Sequence, residues 1–157
     1  MCGIAGYIGK KNLKHTKEKS QVLKKFMKFR GPDGYGTFQK KISKNFHFKF
    51  FHSRLSIIDP KTRSNQPFLD QDGVVSFNGM IYNFLKIRNL LIANGIKFKT
   101  SSDTEVLLKF LNHYGIEKLD LLEGMWSFSY FNFKKQKLYI CRDRFGEKPL
   151  YIHKTKN

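Results

Sequence analysis

The chain has 157 residues, 40% of them hydrophobic, which is enough for one core and too little for two separate ones. Its 30 lysines and arginines against 12 acidic residues give a formal net charge of +18. Yet lysine is scattered from Lys10 to Lys156, arginine is scarce, and no arginine–aromatic stretch appears, so specific nucleic-acid recognition is not expected. Two cysteines, Cys2 and Cys141, make neither a disulfide framework nor a metal set, and the five histidines lack ligand spacing, which points to a reducing cytoplasm and no metal site. The apolar opening run has no basic segment before it and is broken by Gly3, Gly6 and Gly9, unlike a secretory signal. No stretch approaches the roughly 20 apolar residues of a membrane span.

The chain opens Met1-Cys2-Gly3-Ile4-Ala5-Gly6. Loss of Met1, which the small Cys2 side chain permits, would put a thiol and a free α-amine on one carbon. With ordinary pKa values of about 8.5 and 7.7–8.0, each is partly in its reactive form near neutrality, and the amine can relay the thiol proton. The plain alternative is a small buried residue opening a strand.

Cys2 to Gly9 reads as that strand, and the spacing of Val22, Leu23, Phe26, Met27 and Phe29 predicts an amphipathic helix over 16–29. Arg30-Gly31-Pro32-Asp33-Gly34 stops it. Alternation over Phe46 to Ile58 predicts one or two strands, followed by a polar loop from Pro60 to Gly73. Val74–Phe77 is a compact strand, Asn78-Gly79-Met80-Ile81-Tyr82-Asn83 a turn into a helix ending near Ala93, and Gly95 its stop. A short strand is expected at Ile96–Lys99, then a helix from about Ser102 to Tyr114, with a further turn at Leu119–Leu122. Met125–Phe133 and Lys137–Cys141 read as a hairpin, and the segment from Arg142 to Tyr151 as a turn into a last strand. Strand runs around a central helical pair predict an α+β layered domain covering 1–157.

Six stretches carry a resemblance: Met1-Cys2-Gly3-Ile4-Ala5-Gly6, Arg30-Gly31-Pro32-Asp33, His52-Ser53-Arg54-Leu55-Ser56-Ile57-Ile58-Asp59, Phe77-Asn78-Gly79, Ser102-Asp103-Thr104-Glu105-Val106, and the block from Arg142 to Tyr151. Together and in order they resemble class II glutamine amidotransferases, in particular the N-terminal glutaminase domain of glutamine-hydrolysing asparagine synthetases. The resemblance implies the four-layer αββα sandwich of N-terminal-nucleophile hydrolases. It implies that Cys2 attacks the side-chain carboxamide of glutamine, giving ammonia and a γ-glutamyl thioester that water cleaves. It further implies an oxyanion hole of the Asn78 amide and the Gly79 N–H, presented by a strand-to-helix turn, with Arg54 on the substrate carboxylate, Asp103 on its ammonium and the backbone at Ile57 and Ile58 lining the pocket.

Plain alternatives exist for two of these: a surface ion pair for Arg54 and a helix cap for Asp103. Arg30, Asp33 and Asp143 are expected to tie loops, and Cys141 to be core. Members of the synthetase branch usually carry glutamate where Met80 stands, so a weaker hold on the ammonium is expected. The resemblance asks for no cofactor in glutamine hydrolysis. ATP and Mg would belong to a synthetase domain that accepts the ammonia, whose Ser-Gly-Gly-x-Asp-Ser loop does not occur here. The sandwich is also expected to lack its last strands, as in a truncated chain. The rival readings are an amidotransferase module for another acceptor and a non-catalytic fragment; an oligomer is compatible with any of them.

Overall fold

The computed structural model describes residues 1–10, 16–43 and 46–154. Its strands are β1 (Gly3–Lys10), β2 (Gly34–Lys41), β3 (Phe46–Arg54), β4 (Phe68–Leu69), β5 (Gly73–Ile81), β6 (Gly124–Asn132) and β7 (Lys137–Arg142). Its helices are α1 (Thr16–Met27), α2 (Phe84–Ala93) and α3 (Asp103–Tyr114), with 3₁₀ turns at Thr62–Ser64 and Ile116–Leu121. One antiparallel sheet runs β1-β3-β2 and the other β4-β5-β6-β7.

Side-chain alternation turns these sheets into layers. On β3, Phe48, Phe50 and His52 face the second sheet, where Phe48 stacks on Phe131 at 4.5 Å and His52 Nε2 donates to the Phe77 carbonyl at 3.1 Å. The intervening Lys49 and Ser53 face α1, where Ser53 Oγ donates to the Met27 carbonyl and Lys49 Nζ to Ser20 Oγ. On β5, Val74 joins the cluster between the sheets, while Val75, Phe77 and Ile81 pack against Ile87 and Leu91 of α2 and Val106, Leu107 and Phe110 of α3. The order is helix, sheet, sheet, helix pair, the expected αββα sandwich. Each fully buried aromatic or aliphatic side chain in these two cores contributes on the order of 1.5–3 kcal/mol.

Three local expectations are corrected, and one strand is added. Gly34–Lys41, of which only Gly34 is read from the sequence, as the end of a turn, is an edge strand, and Gly36 is there because a Cβ would lie 2.0 Å from the Gln66 carbonyl oxygen. The Asn-Gly pair, read as a turn, is the interior of β5: Asn78 pairs with Ser127 and Gly79 with Trp126, so α2 begins only at Phe84. Ile96–Lys99 forms no strand, because the N–H groups of Lys99 and Thr100 donate to the buried Glu105 carboxylate instead of a neighbouring backbone. The strand expected after the Arg142 block is likewise unformed over 149–154; the Glu147 and Lys148 N–H groups donate to Asp143.

Candidate active site

The Gly3–Ser53 pair puts Cys2 opposite Arg54, and opposed residues share a face, so both look toward the second sheet. Cys2 is half-buried, and its Sγ accepts the Leu55 N–H at 3.4 Å. Burial pushes the thiol pKa up; the Leu55 N–H, the chain-terminal charge and Arg54 pull against that rise, and Asp103 adds to it. Across from Cys2, the even positions of β5 bring in Asn78 and Met80, while the start of α3 brings in Asp103. All of them line one open cleft with Met1, Ile57, Ile58 and Lys148.

The β5 edge above Cys2 carries an uncommitted donor. Trp126 uses its N–H and C=O on Asp143, hence away from β5, so Gly79 opposite it points its own N–H away from β6. The same edge shows the Phe77 N–H, which donates to Gln66 Oε1 at 2.7 Å, and the Ile81 N–H, which donates to Asp103 Oδ2 at 3.3 Å. Between them the Gly79 N–H has no acceptor among the described residues. Asn78 is buried beside it, and its carboxamide likewise has no hydrogen-bonding partner among them. The space is tight: a Cβ on Gly79 would sit 2.1 Å from the Met125 carbonyl oxygen, so only glycine lets the two strands approach.

Asp103 is not the cap of α3. Ser102 is, its side chain accepting the Thr104 N–H, which leaves the Asp103 carboxylate directed to the cleft side of β5. Loss of solvation outweighs its backbone hydrogen bonds and Arg54, raising its pKa to about 6. Arg54 is not a surface ion pair. It is 4% exposed, with Nη1 donating to the Lys61 carbonyl and Asn65 Oδ1 and Nη2 to the carbonyls of Ile58 and Asp59, so it moulds the 58–65 loop. To take a carboxylate it would exchange some of these carbonyls for it.

The loop-tying expectations hold for two of three residues. Asp33 Oδ2 accepts the Ser56 N–H at 2.7 Å, and Asp143 gathers the N–H groups of Trp126, Phe145, Glu147 and Lys148. Burial alone would raise the Asp143 pKa; those donors outweigh it and hold it below the usual range. Arg30 is exposed, and only its backbone N–H is engaged, on Met27. Cys141 is only partly buried, packed at the margin of the α2–α3 core. Sequence reasoning assigned no role to Gln66, whose amide bridges Phe77 and Thr104, or to Lys148; a buried lysine carries no sequence signal of its burial. Among the described residues no group of three His, Cys, Asp or Glu side chains is placed to hold a metal ion, and no helix is long and apolar enough to cross a membrane.

The family model of the glutamine amidotransferase domain matches residues 1–157. The chain belongs to this family. It is 40% identical over 156 residues to asparagine synthetase [glutamine-hydrolyzing] 1 of Bacillus subtilis, covering 96% of this chain and 24% of that protein. To its namesake from Arabidopsis thaliana it is 34% identical, covering 97% and 25%. It is also 32% identical to amidase chry2 of Gibberella zeae, covering 99% and 25%. The chain thus spans about a quarter of the length of these relatives. Among solved structures, the B. subtilis glutamine phosphoribosylpyrophosphate amidotransferase, complexed with ADP and GMP, superposes with a TM-score of 0.67 over 91% of this chain and 37% of that one, at 17% identity. At that identity the likeness concerns the fold, which is the N-terminal-nucleophile sandwich.

Proposed function

We propose that this domain hydrolyses glutamine to glutamate and ammonia, with Cys2 as nucleophile once Met1 is removed, and that the ammonia amidates an activated aspartate on a synthetase domain. One observation carries the reading: a half-buried thiol faces the unengaged Gly79 N–H and Asn78 carboxamide across a cleft that also presents Asp103. The thiol proton passes to the α-amine as Sγ bonds to the carboxamide carbon, and the oxyanion is met by the Gly79 N–H and the Asn78 side chain. Collapse expels ammonia, which leaves with the proton from the α-ammonium; water then cleaves the thioester. Asp103 meets the substrate ammonium, Arg54 the carboxylate, and the Ile57–Ile58 backbone closes the pocket over the chain of the ligand.

Glutamine and an ammonia-accepting domain are the partners of this reading, ATP and Mg belong to the acceptor, and the reducing cytoplasm keeps both cysteines free. Similarity to an amidase as well as to asparagine synthetases favours a second acceptor class, with the same glutaminase chemistry. The test is labelling by a glutamine-analogue electrophile, with the adduct located by mass spectrometry. An adduct on an N-terminal Cys2 is expected; an intact Met1, or no adduct, would overturn the reading.

A further inference from the structure

Lys148 lines the same cleft as Cys2, and its side chain bonds only to Met1 among the described residues. It is 6% exposed, and its Nζ donates at 2.8 Å to Met1 Sδ, a thioether and hence a weak acceptor. No carboxylate among the described residues is within ion-pair distance; the ion pairs there are Arg63–Asp59 and Lys109–Asp70. Burying an ammonium against sulfur is unfavourable, and removal of Met1 would take away even that acceptor. The loop is held firmly, since the Lys148 backbone N–H donates to Asp143 Oδ2 at 2.9 Å.

We propose that Lys148 is a positioning residue for the nucleophile, its ammonium biasing the Cys2 α-amine toward the free base and the Cys2 thiol toward thiolate. The inference rests on the glutaminase reading. The proton leaves sulfur for the α-amine as the S–C bond forms, and moves from the α-ammonium to the departing nitrogen as the C–N bond breaks; Lys148 keeps its own protons throughout. A cation brought close makes that α-ammonium the stronger acid and favours the thiolate over the thiol. The other charges facing Cys2 are Arg54, of the same sign, and Asp103, opposed; His52, on the same face of β3, is held neutral by burial, with a pKa of about 4. Asp143 is occupied by four backbone N–H groups and does not reach the Lys148 ammonium as an ion pair.

The test follows iodoacetamide alkylation of Cys2, resolved from Cys141 by peptide mass spectrometry, across roughly pH 6 to 10, together with the pH profile of kcat/KM for glutamine. Lys148→Met and Lys148→Gln should move the alkylation midpoint up by about one pH unit, slow alkylation about tenfold at neutral pH, and shift the acidic limb of kcat/KM the same way. Lys148→Arg should keep the wild-type profiles. Neutral variants with the wild-type midpoint would overturn the proposal, and so would failure of both to fold, which would make Lys148 structural. A wild-type protein that does not hydrolyse glutamine, in which Lys148→Met still shifts the midpoint, would sink the glutaminase reading alone. The reverse pair would sink this inference alone.

Discussion

Asp103 should couple ligand binding to protonation. It is buried at the first turn of α3, and loss of solvation raises its pKa from 3.8 to about 6. An ammonium bound beside it stabilises the ionised form and draws the pKa back down, so glutamine binds the carboxylate and not the acid. The apparent dissociation constant then scales with one plus the ratio of protonated to ionised Asp103, which increases it about tenfold from pH 7 to pH 5. Asp103→Asn should abolish this dependence and weaken binding about 10- to 150-fold, the worth of a charge-assisted hydrogen bond at about 1.5–3 kcal/mol. Calorimetric titration of glutamine into Cys2→Ser protein measures both without turnover. Stability should run the other way. The folded state binds the extra proton between 3.8 and about 6, so stability present below that window is lost as pH rises through it, and Asp103→Asn should melt higher than wild type at neutral pH but not in acid. Wild-type affinity that stays constant from pH 7 to pH 5 would refute the assignment of Asp103 to the ammonium.

The other expectations concern neighbouring positions. Cys2→Ser should lower glutamine hydrolysis more than about 100-fold, measured as glutamate release, with the melting curve unchanged, because an α-amine is too weak a base for a hydroxyl. Met80→Glu should lower KM for glutamine with little change in kcat, since it adds a second carboxylate at the ammonium end of the cleft, and an unchanged KM would remove Met80 from that end. Gly79→Ala should lower the thermal midpoint, at a cost of about 1–3 kcal/mol, as β5 and β6 part to admit the methyl group. Nucleic-acid binding by the basic surface should be non-specific and fall steeply with salt in a filter or polarisation assay, because scattered lysines only release counterions.

The elements were legible from periodicity, but burial follows it only in part. Val22, Leu23, Phe26 and Met27 announced α1, although Val22 and Phe26 stay exposed and only Met27 of the four is buried, whereas the aromatic alternation of Met125–Phe133 announced β6 and its buried Trp126, Phe128 and Tyr130. The errors all fell where a polar side chain or a close approach replaces an ordinary ladder. Asn78-Gly79 carries a turn signature, yet glycine serves there to admit the Met125 carbonyl. Lys99 and Thr100 look ready to pair as a strand, yet a glutamate six and five residues onward takes their N–H groups. Of the candidate site, Cys2, Asn78, Gly79, Arg54, Ile57, Ile58 and Asp103 came from the motif resemblance and all line one cleft. Lys148 and Gln66 had to wait for coordinates, since nothing local in a sequence marks a lysine or a glutamine as buried.

Correcting the strand-to-helix turn changes the physical basis of the proposed oxyanion hole. A turn would offer its donors by exposure, whereas here the Gly79 N–H is available because β4 is short. That strand covers only Val74 and Val75 of β5, and the edge beyond is divided among Gln66 at Phe77, Asp103 at Ile81 and, among the described residues, no acceptor at Gly79. Gln66 is itself anchored to Thr104 in α3, so the two capped donors on either side are held by side chains tied to one helix start. Alternation along β5 then decides which side chains attend the hole: even positions face Cys2 and odd positions face α2 and α3. A one-residue slip of β5 would put Asn78 into the helix-side core and Phe77 into the cleft. The register that buries Val75, Phe77 and Ile81 is therefore the same register that sets Asn78 and Met80 before the thiol.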